Sequence, residues 1–263
     1  MSHGYSINNG YGTCRQDNAR HVNQSVEAER NFAAQQNRGP QQQRTSGQQI
    51  QYRNNPAIRN RVQARIQKAV TVATAEYSKG VKETRENDST QIRVYKYGMK
   101  NNWNWCSYFA NYCYGKGQGN NRTLFGIDKD KVGRSQTVKK QAQAQGYFSN
   151  ANSGYIPKVG DLAIWSNKKN SYEGHIGIVT KVYSDGSYEV TEGNKDDKVS
   201  VIKYNSQKAS DTDTKTNRFA GFVRMEDYLY DLESGKITAS LSDEEQSTDL
   251  YEKDDQSTMG YLG

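Results

Sequence analysis

Cysteine, proline, histidine and tryptophan are all scarce in this chain, with three of each in 263 residues. None of the cysteines forms a CxxC pair, which argues against a disulfide scaffold and against a zinc ribbon. Cys106 and Cys113 lie about two helical turns apart, roughly 10 Å of rise, too far to bridge. No apolar run approaches the length of a membrane span. The start, MSHGYSINNGYGTC, lacks the basic-then-apolar order of a secretory signal. Apolar residues make up only 33% of the chain, so either the core is small or long segments stay outside it. Nothing calls for a metal or other cofactor, since Asp128-Lys-Asp130 is too short and too poor in ligands for a calcium loop.

Charge is present but unevenly placed. Residues 1–60 hold seven Arg and three acidic groups, a net of +4, and about a third of them are Gln or Asn. Residues 227–263 hold two Lys and ten acidic groups, a net of −8. The overall charge of +7 therefore leaves +11 on residues 61–226. Both ends lack a sustained apolar period and are predicted to be disordered tails, flanking one folded domain over 61–226.

Within that domain Val62, Ile66, Val70, Ala73 and Tyr77 predict an amphipathic helix. A second helix is expected from Asn104 or Trp105 to the glycine run at Gly115, and a weaker third over Ser135–Gln145. Short strands follow in DLAIWS, GHIGIVTKVY, SYEVTEGN and KVSVIKY, with Pro157 and Gly160 marking the crossing. Helices first and strands afterwards make an α+β fold, with the helices packed on an antiparallel sheet.

The chemistry concentrates in WNWCSYFANYC, residues 103–113, which holds two of the three cysteines and two of the three tryptophans. Cys106 falls in the first turn of its predicted helix, where unpaired N–H groups and the macrodipole favour an anion. Cys113 falls among core spacings with Phe109 and Ala110 and reads as a packing residue. His175 is the one histidine of the middle segment and opens the strand GHIGIVTKVY. With Asp185-Gly186 as a two-residue turn, His175 shares a strand face with Glu192 and Asn194. That register sets Asn194 opposite Gly177, diagonal to His175 and within reach of Nδ1. It sets Glu192 opposite Val179, too far along the strand without a bulge or a longer turn.

WNWCSYFANYC followed by PKVGDLAIW, GHIGIV and TEGN resembles the CHAP family, the cysteine- and histidine-dependent amidohydrolases and peptidases of the papain-like superfamily. The AEYSKGVKE stretch resembles the segment upstream of the nucleophile in bacterial members. The resemblance spans about residues 61–226. It implies a papain-like cysteine hydrolase domain with Cys106 as nucleophile and His175 as general base. Family members place an acidic residue and then an asparagine on the next strand, at Glu192 and Asn194. Precedent thus favours Glu192 as the orienter of the ring, whereas the simple register favours Asn194. Trp103, Trp105 and Trp165 are candidate walls of the substrate cleft.

The implied activity is hydrolysis of a peptidoglycan peptide, by an amidase or endopeptidase of a bacterium, its phage or a toxin-like effector. The basic middle segment suits an anionic cell wall. Action outside the cell or at the wall would need release without a signal peptide, with the N-terminal segment as a secretion or anchoring element; action in the cytoplasm is the alternative. Two other classes compete: a catalytically silent CHAP-like binding module, and a basic nucleic-acid-binding protein, for which no reader motif is present.

Overall fold

In the sequence PAIRNRVQ a proline follows an asparagine, which is a strong helix start. Asn55 caps the N–H groups of Ala57 and Ile58 at 2.9 and 3.4 Å and Pro56 occupies the first turn, opening α1 (Pro56–Ser78). The computed structural model describes residues 53–115, 119–120, 122–205 and 212–237. The chain divides into two units, Met1–Gln49 and Ile50–Gly263, and every described residue lies in the second.

α1 buries Ile58, Val62, Ile66, Ala69, Ala73 and Glu76. The expected stripe continued to Tyr77, but the period carries it to Glu76 and leaves Tyr77 exposed. A buried carboxylate needs donors, and Glu76 accepts from Lys79 Nζ (2.6 Å), Gln91 Nε2 (3.0 Å) and Tyr95 Oη (2.5 Å). Gln91 and Tyr95 belong to α2 (Thr90–Tyr95), a one-turn element capped by Ser89 that the sequence did not reveal.

α3 (Cys106–Tyr114) packs on α1 and on the sheet. It is pinned by Ser107 Oγ, which donates to the Val132 carbonyl at 2.5 Å, and by Asn111, whose Oδ1 accepts from the Leu124 N–H at 2.8 Å. α4 (Ser135–Ala144) follows within the expected range. The sheet then forms from β1 (Phe148–Asn150), β2 (Leu162–Asn167), β3 (Gly174–Val182), β4 (Tyr188–Lys195), β5 (Lys198–Tyr204) and β6 (Asn217–Val223). Its order is β1-β6-β2-β3-β4-β5, antiparallel throughout. Alternation along β3 divides the core. Ile176 and Ile178 join the cluster beneath the helices, while Val179 faces a second, aromatic cluster with Trp165, Tyr188, Phe219 and Phe222.

The folded part is longer than 61–226. Residues 56–60 belong to α1, and residues 227–233 belong to α5 (Met225–Glu233). Met225, Tyr228 and Leu229 of α5 enter the core, and its acidic residues meet arginines at the other end of the chain. Arg61 and Arg65 reach Glu233 at 2.8 and 3.0 Å, and Arg53 reaches Asp227 at 2.8 Å. Glu226 and Asp227 also suit the positive end of the helix dipole. The acidity that suggests a solvated tail thus serves, in its first turns, to dock a helix. The rest of both expected tails lies outside the described residues.

Candidate active site

Cys106 is the first residue of α3, with Trp105 as N-cap and no side chain capping the helix start. Its backbone N–H and the next two therefore have no partner within the helix. The residue is buried apart from a 4% exposure and lines a cleft of about 680 Å³ together with Asn104 and Trp103. Cys113 is fully buried, and burial followed by the nearby Glu76 charge pushes its thiol well above the usual range. Neither described cysteine is in a disulfide.

His175 stands at the start of β3. Its Nε2 lies 2.7 Å from Glu192 Oε2, and the Cys106 side chain is close enough to act on the charge of the ring. Since Nε2 is engaged by the carboxylate, Nδ1 is the nitrogen left for sulfur. Burial works against a charged ring, but the hydrogen bonds and charges of Cys106 and Glu192 outweigh it and raise the pKa of His175 to about 10. Glu192 is fully buried, and its other oxygen accepts from Tyr204 Oη at 2.7 Å. The Tyr204 hydroxyl is held protonated, first by burial and then by the Glu192 charge, so it remains a donor. A cysteine at an electropositive helix end, an imidazole and a satisfied carboxylate are thereby joined in one line.

The contact between His175 and Glu192 arises from two irregularities in the hairpin. The turn is not two residues long: Tyr183 N–H bonds the Ser187 carbonyl at 2.8 Å, enclosing Ser184, Asp185 and Gly186. Gly186 adopts φ +82°, the left-handed residue that a three-residue hairpin loop needs. A bulge at Thr180, between Val179 and Lys181, then shifts the pairing by one more residue. Together they place Glu192, not Asn194, opposite Gly177. Glycine is required there because a Cβ on residue 177 would come within 2.7 Å of Glu192 Cγ, blocking the carboxylate from crossing to the ring.

Asn194 does not reach His175, which corrects the simple register. It has φ +57° and sits where the β4–β5 register breaks, so it leaves the alternation of the strand. Its Nδ2 donates to Asn87 Oδ1 (3.0 Å) and Asn104 Oδ1 (3.1 Å), tying β4 to the segment that leads into Cys106. The tryptophans also separate. Trp103 lines the cleft and is 46% exposed. Trp105 and Trp165 are buried and contribute nothing to the cleft lining. Trp105 Nε1 donates to Glu83 and Trp165 Nε1 to the Thr212 carbonyl, each at 2.9 Å. Each needs a partner for its indole N–H when buried. Trp165 still has a supporting place, since its ring lies 5.7 Å from that of His175.

Sequence reasoning missed Tyr204 and Asn104. Tyr204 closes the apolar-alternating strand KVSVIKY, and no local pattern marks it as a carboxylate donor. Asn104 lies two residues before Cys106, and the sequence marks it only as a helix start.

The α+β fold, with its six-stranded antiparallel sheet and packed helices, is consistent with a papain-like domain. Residues 96–194 match the family model described as CHAP domain. That family implies amidohydrolase or peptidase chemistry dependent on cysteine and histidine. No curated protein and no solved structure matches the chain. Among the described residues no helix is long and apolar enough to cross a membrane.

Proposed function

We propose that the protein is a peptidoglycan amidase or endopeptidase with Cys106 as nucleophile, His175 as acid and base, and Glu192 as the group that orients the ring. The observation that carries this reading is the position of His175, whose Nε2 meets the buried Glu192 carboxylate while its ring lies within electrostatic reach of Cys106. The raised imidazole pKa keeps a cation beside sulfur at neutral pH.

The thiolate attacks the amide carbonyl carbon, and the developing oxyanion takes the Cys106 backbone N–H. Asn104 is suited to be the second donor. Its Oδ1 is already taken by Asn194, which leaves its Nδ2 hydrogens for the cleft it lines. The imidazolium gives its proton to the departing amine nitrogen as the C–N bond breaks, leaving a thioester on Cys106. The neutral ring next removes a proton from water. The hydroxide attacks the thioester, the acid product leaves, and the thiolate–imidazolium pair returns. Glu192 supports the charged ring in both halves, with Tyr204 fixing the carboxylate.

Incubation of purified protein with peptidoglycan, followed by mass spectrometry of the released muropeptides, tests the proposal and names the bond. Soluble fragments with a new amine and a new carboxylate are expected, and Cys106→Ala should release none. Identical muropeptide profiles with wild type and variant would remove the catalytic reading and leave a binding module.

A further inference from the structure

Lys96 is fully buried and takes no part in the proposed mechanism. It follows α2 directly, and its Nζ donates to two main-chain carbonyls, those of Asn87 at 2.8 Å and Asn101 at 2.5 Å. An ammonium taken out of water is costly unless its N–H groups find acceptors. Methionine would fill a similar volume without that cost. The charge therefore draws attention to the two segments it joins.

Both segments line the cleft beside Cys106, the first through Asn87 and the second through Asn102, Trp103 and Asn104. The second has no regular secondary structure, and among the described residues no backbone–backbone hydrogen bond fixes residues 100–104. Side chains hold it instead, and three of them bridge the same two segments. Lys96 joins the Asn87 carbonyl to that of Asn101. Glu83 accepts the Asn87 N–H at 2.6 Å and the Trp105 indole N–H at 2.9 Å. Asn194 donates to the amide oxygens of Asn87 and Asn104. The N–H, carbonyl and side-chain oxygen of Asn87 are thus each committed to a different bridge. Asn87 holds them from the left-handed region, φ +53°, which asparagine enters more readily than most residues. Of the three bridges, Lys96 holds the segment ahead of Asn104, and the other two hold it at Asn104 and Trp105. The Asn101 side chain in turn accepts the Trp103 N–H at 3.2 Å, so the tie runs on toward Asn104.

We propose that Lys96 is a positioning residue for amide hydrolysis: its ammonium pins residues 101–105 to Asn87 and so holds the Asn104 amide and the Cys106 N–H where they receive the oxyanion. This rests on the reading of Cys106 as nucleophile and Asn104 as oxyanion donor, and adds the group that keeps that donor in place. Lys96 touches no substrate. Its removal should spare the thiol and slow only those steps that pass through an oxyanion.

Two reagents separate such steps at the same sulfur. p-Nitrophenyl acetate acylates Cys106 through a tetrahedral oxyanion; the S–C bond forms, p-nitrophenolate leaves and a thioester remains. Iodoacetamide alkylates Cys106 by direct displacement of iodide, with no oxyanion. Mass spectrometry of the Cys106 peptide, from the full chain at neutral pH, reports both rates. In Lys96→Met acylation should fall about tenfold while alkylation stays within about twofold. Lys96→Gln keeps N–H donors but not the charge and should lose about threefold in acylation. It serves as the test if Lys96→Met does not fold. A loss shared by both reagents, or by neither, overturns the proposal, as does a wild-type Cys106 that resists acylation. If wild type is acylated yet releases no muropeptides from peptidoglycan, the wall substrate is wrong, and the two rates still decide the role of Lys96.

Discussion

The two cysteines of α3 each have a buried glutamate nearby, and the contrast lies in what stands between acid and sulfur. Glu76 acts on Cys113 directly, without an intervening cation, so burial and negative charge both oppose a thiolate. Glu192 acts on Cys106 through His175, and the interposed imidazole presents a positive charge to sulfur. Each carboxylate also accepts a tyrosine hydroxyl, from Tyr95 in one case and Tyr204 in the other. The same pair of side chains, a buried acid and a phenol, thus stands beside a packed thiol at one end of the helix and, in the proposed mechanism, supports the histidine at the other.

The sharpest way to break the contrast is to remove each sulfur. Cys106→Ala should lower the rate of amide hydrolysis by about 10³-fold or more, whereas Cys113→Ala should leave it within about twofold and cost on the order of 1 kcal/mol in urea unfolding. A large activity loss in Cys113→Ala without unfolding would refute the division of roles. Next in size is Glu192→Gln, expected to reduce kcat/KM by about 10²-fold. Its pH profile is the more specific readout. The Glu192 charge favours the protonated ring, so its removal should move the alkaline limb from near 10 to lower pH. A limb that stays in place would mean that Glu192 does not act through His175.

The same shift has a consequence for stability. The pKa of His175 is raised in the fold above its ordinary 6.5, so the folded chain binds the extra proton. Its contribution is fully present below pH 6.5 and is lost as pH rises through about 10. The difference in Tm between wild type and His175→Asn should therefore shrink across that window. Asn194→Ala is a milder change than Glu192→Gln. Loss of its bonds to Asn87 and Asn104 should cost on the order of 1 kcal/mol and slow kcat by about tenfold with little change in KM, since Asn104 would lose its orientation. An effect on KM alone would place Asn194 in substrate binding instead.

Much of this architecture is legible in the sequence, because it rests on local period. The α1 stripe, the Cys106 helix and the four central strands follow from spacing, and parity puts His175 and Glu192 on one face. Partner choice did not follow, because a bulge at Thr180 carries no compositional mark and the Asp185-Gly186 dipeptide suits both a two-residue and a three-residue loop. β1 and β6 were missed for a different reason. β1 has three residues, and β6 reads NRFAGFV, in which Gly221 takes φ +139° and breaks the pattern of a strand. The tryptophans could not be sorted, since burial of Trp105 goes with a bond from its indole to Glu83, 22 residues upstream.

The hairpin that brings Glu192 to His175 carries two departures from regular pairing, the extra loop residue and the bulge, and together they preserve the side-chain face. Either one alone would have turned the acid away from the ring, so length changes between β3 and β4 are tolerated only in even steps. Variation in this loop is therefore quantised. A lengthened hairpin of the same design should have gained two residues or four, and one that has gained a single residue should carry a second bulge.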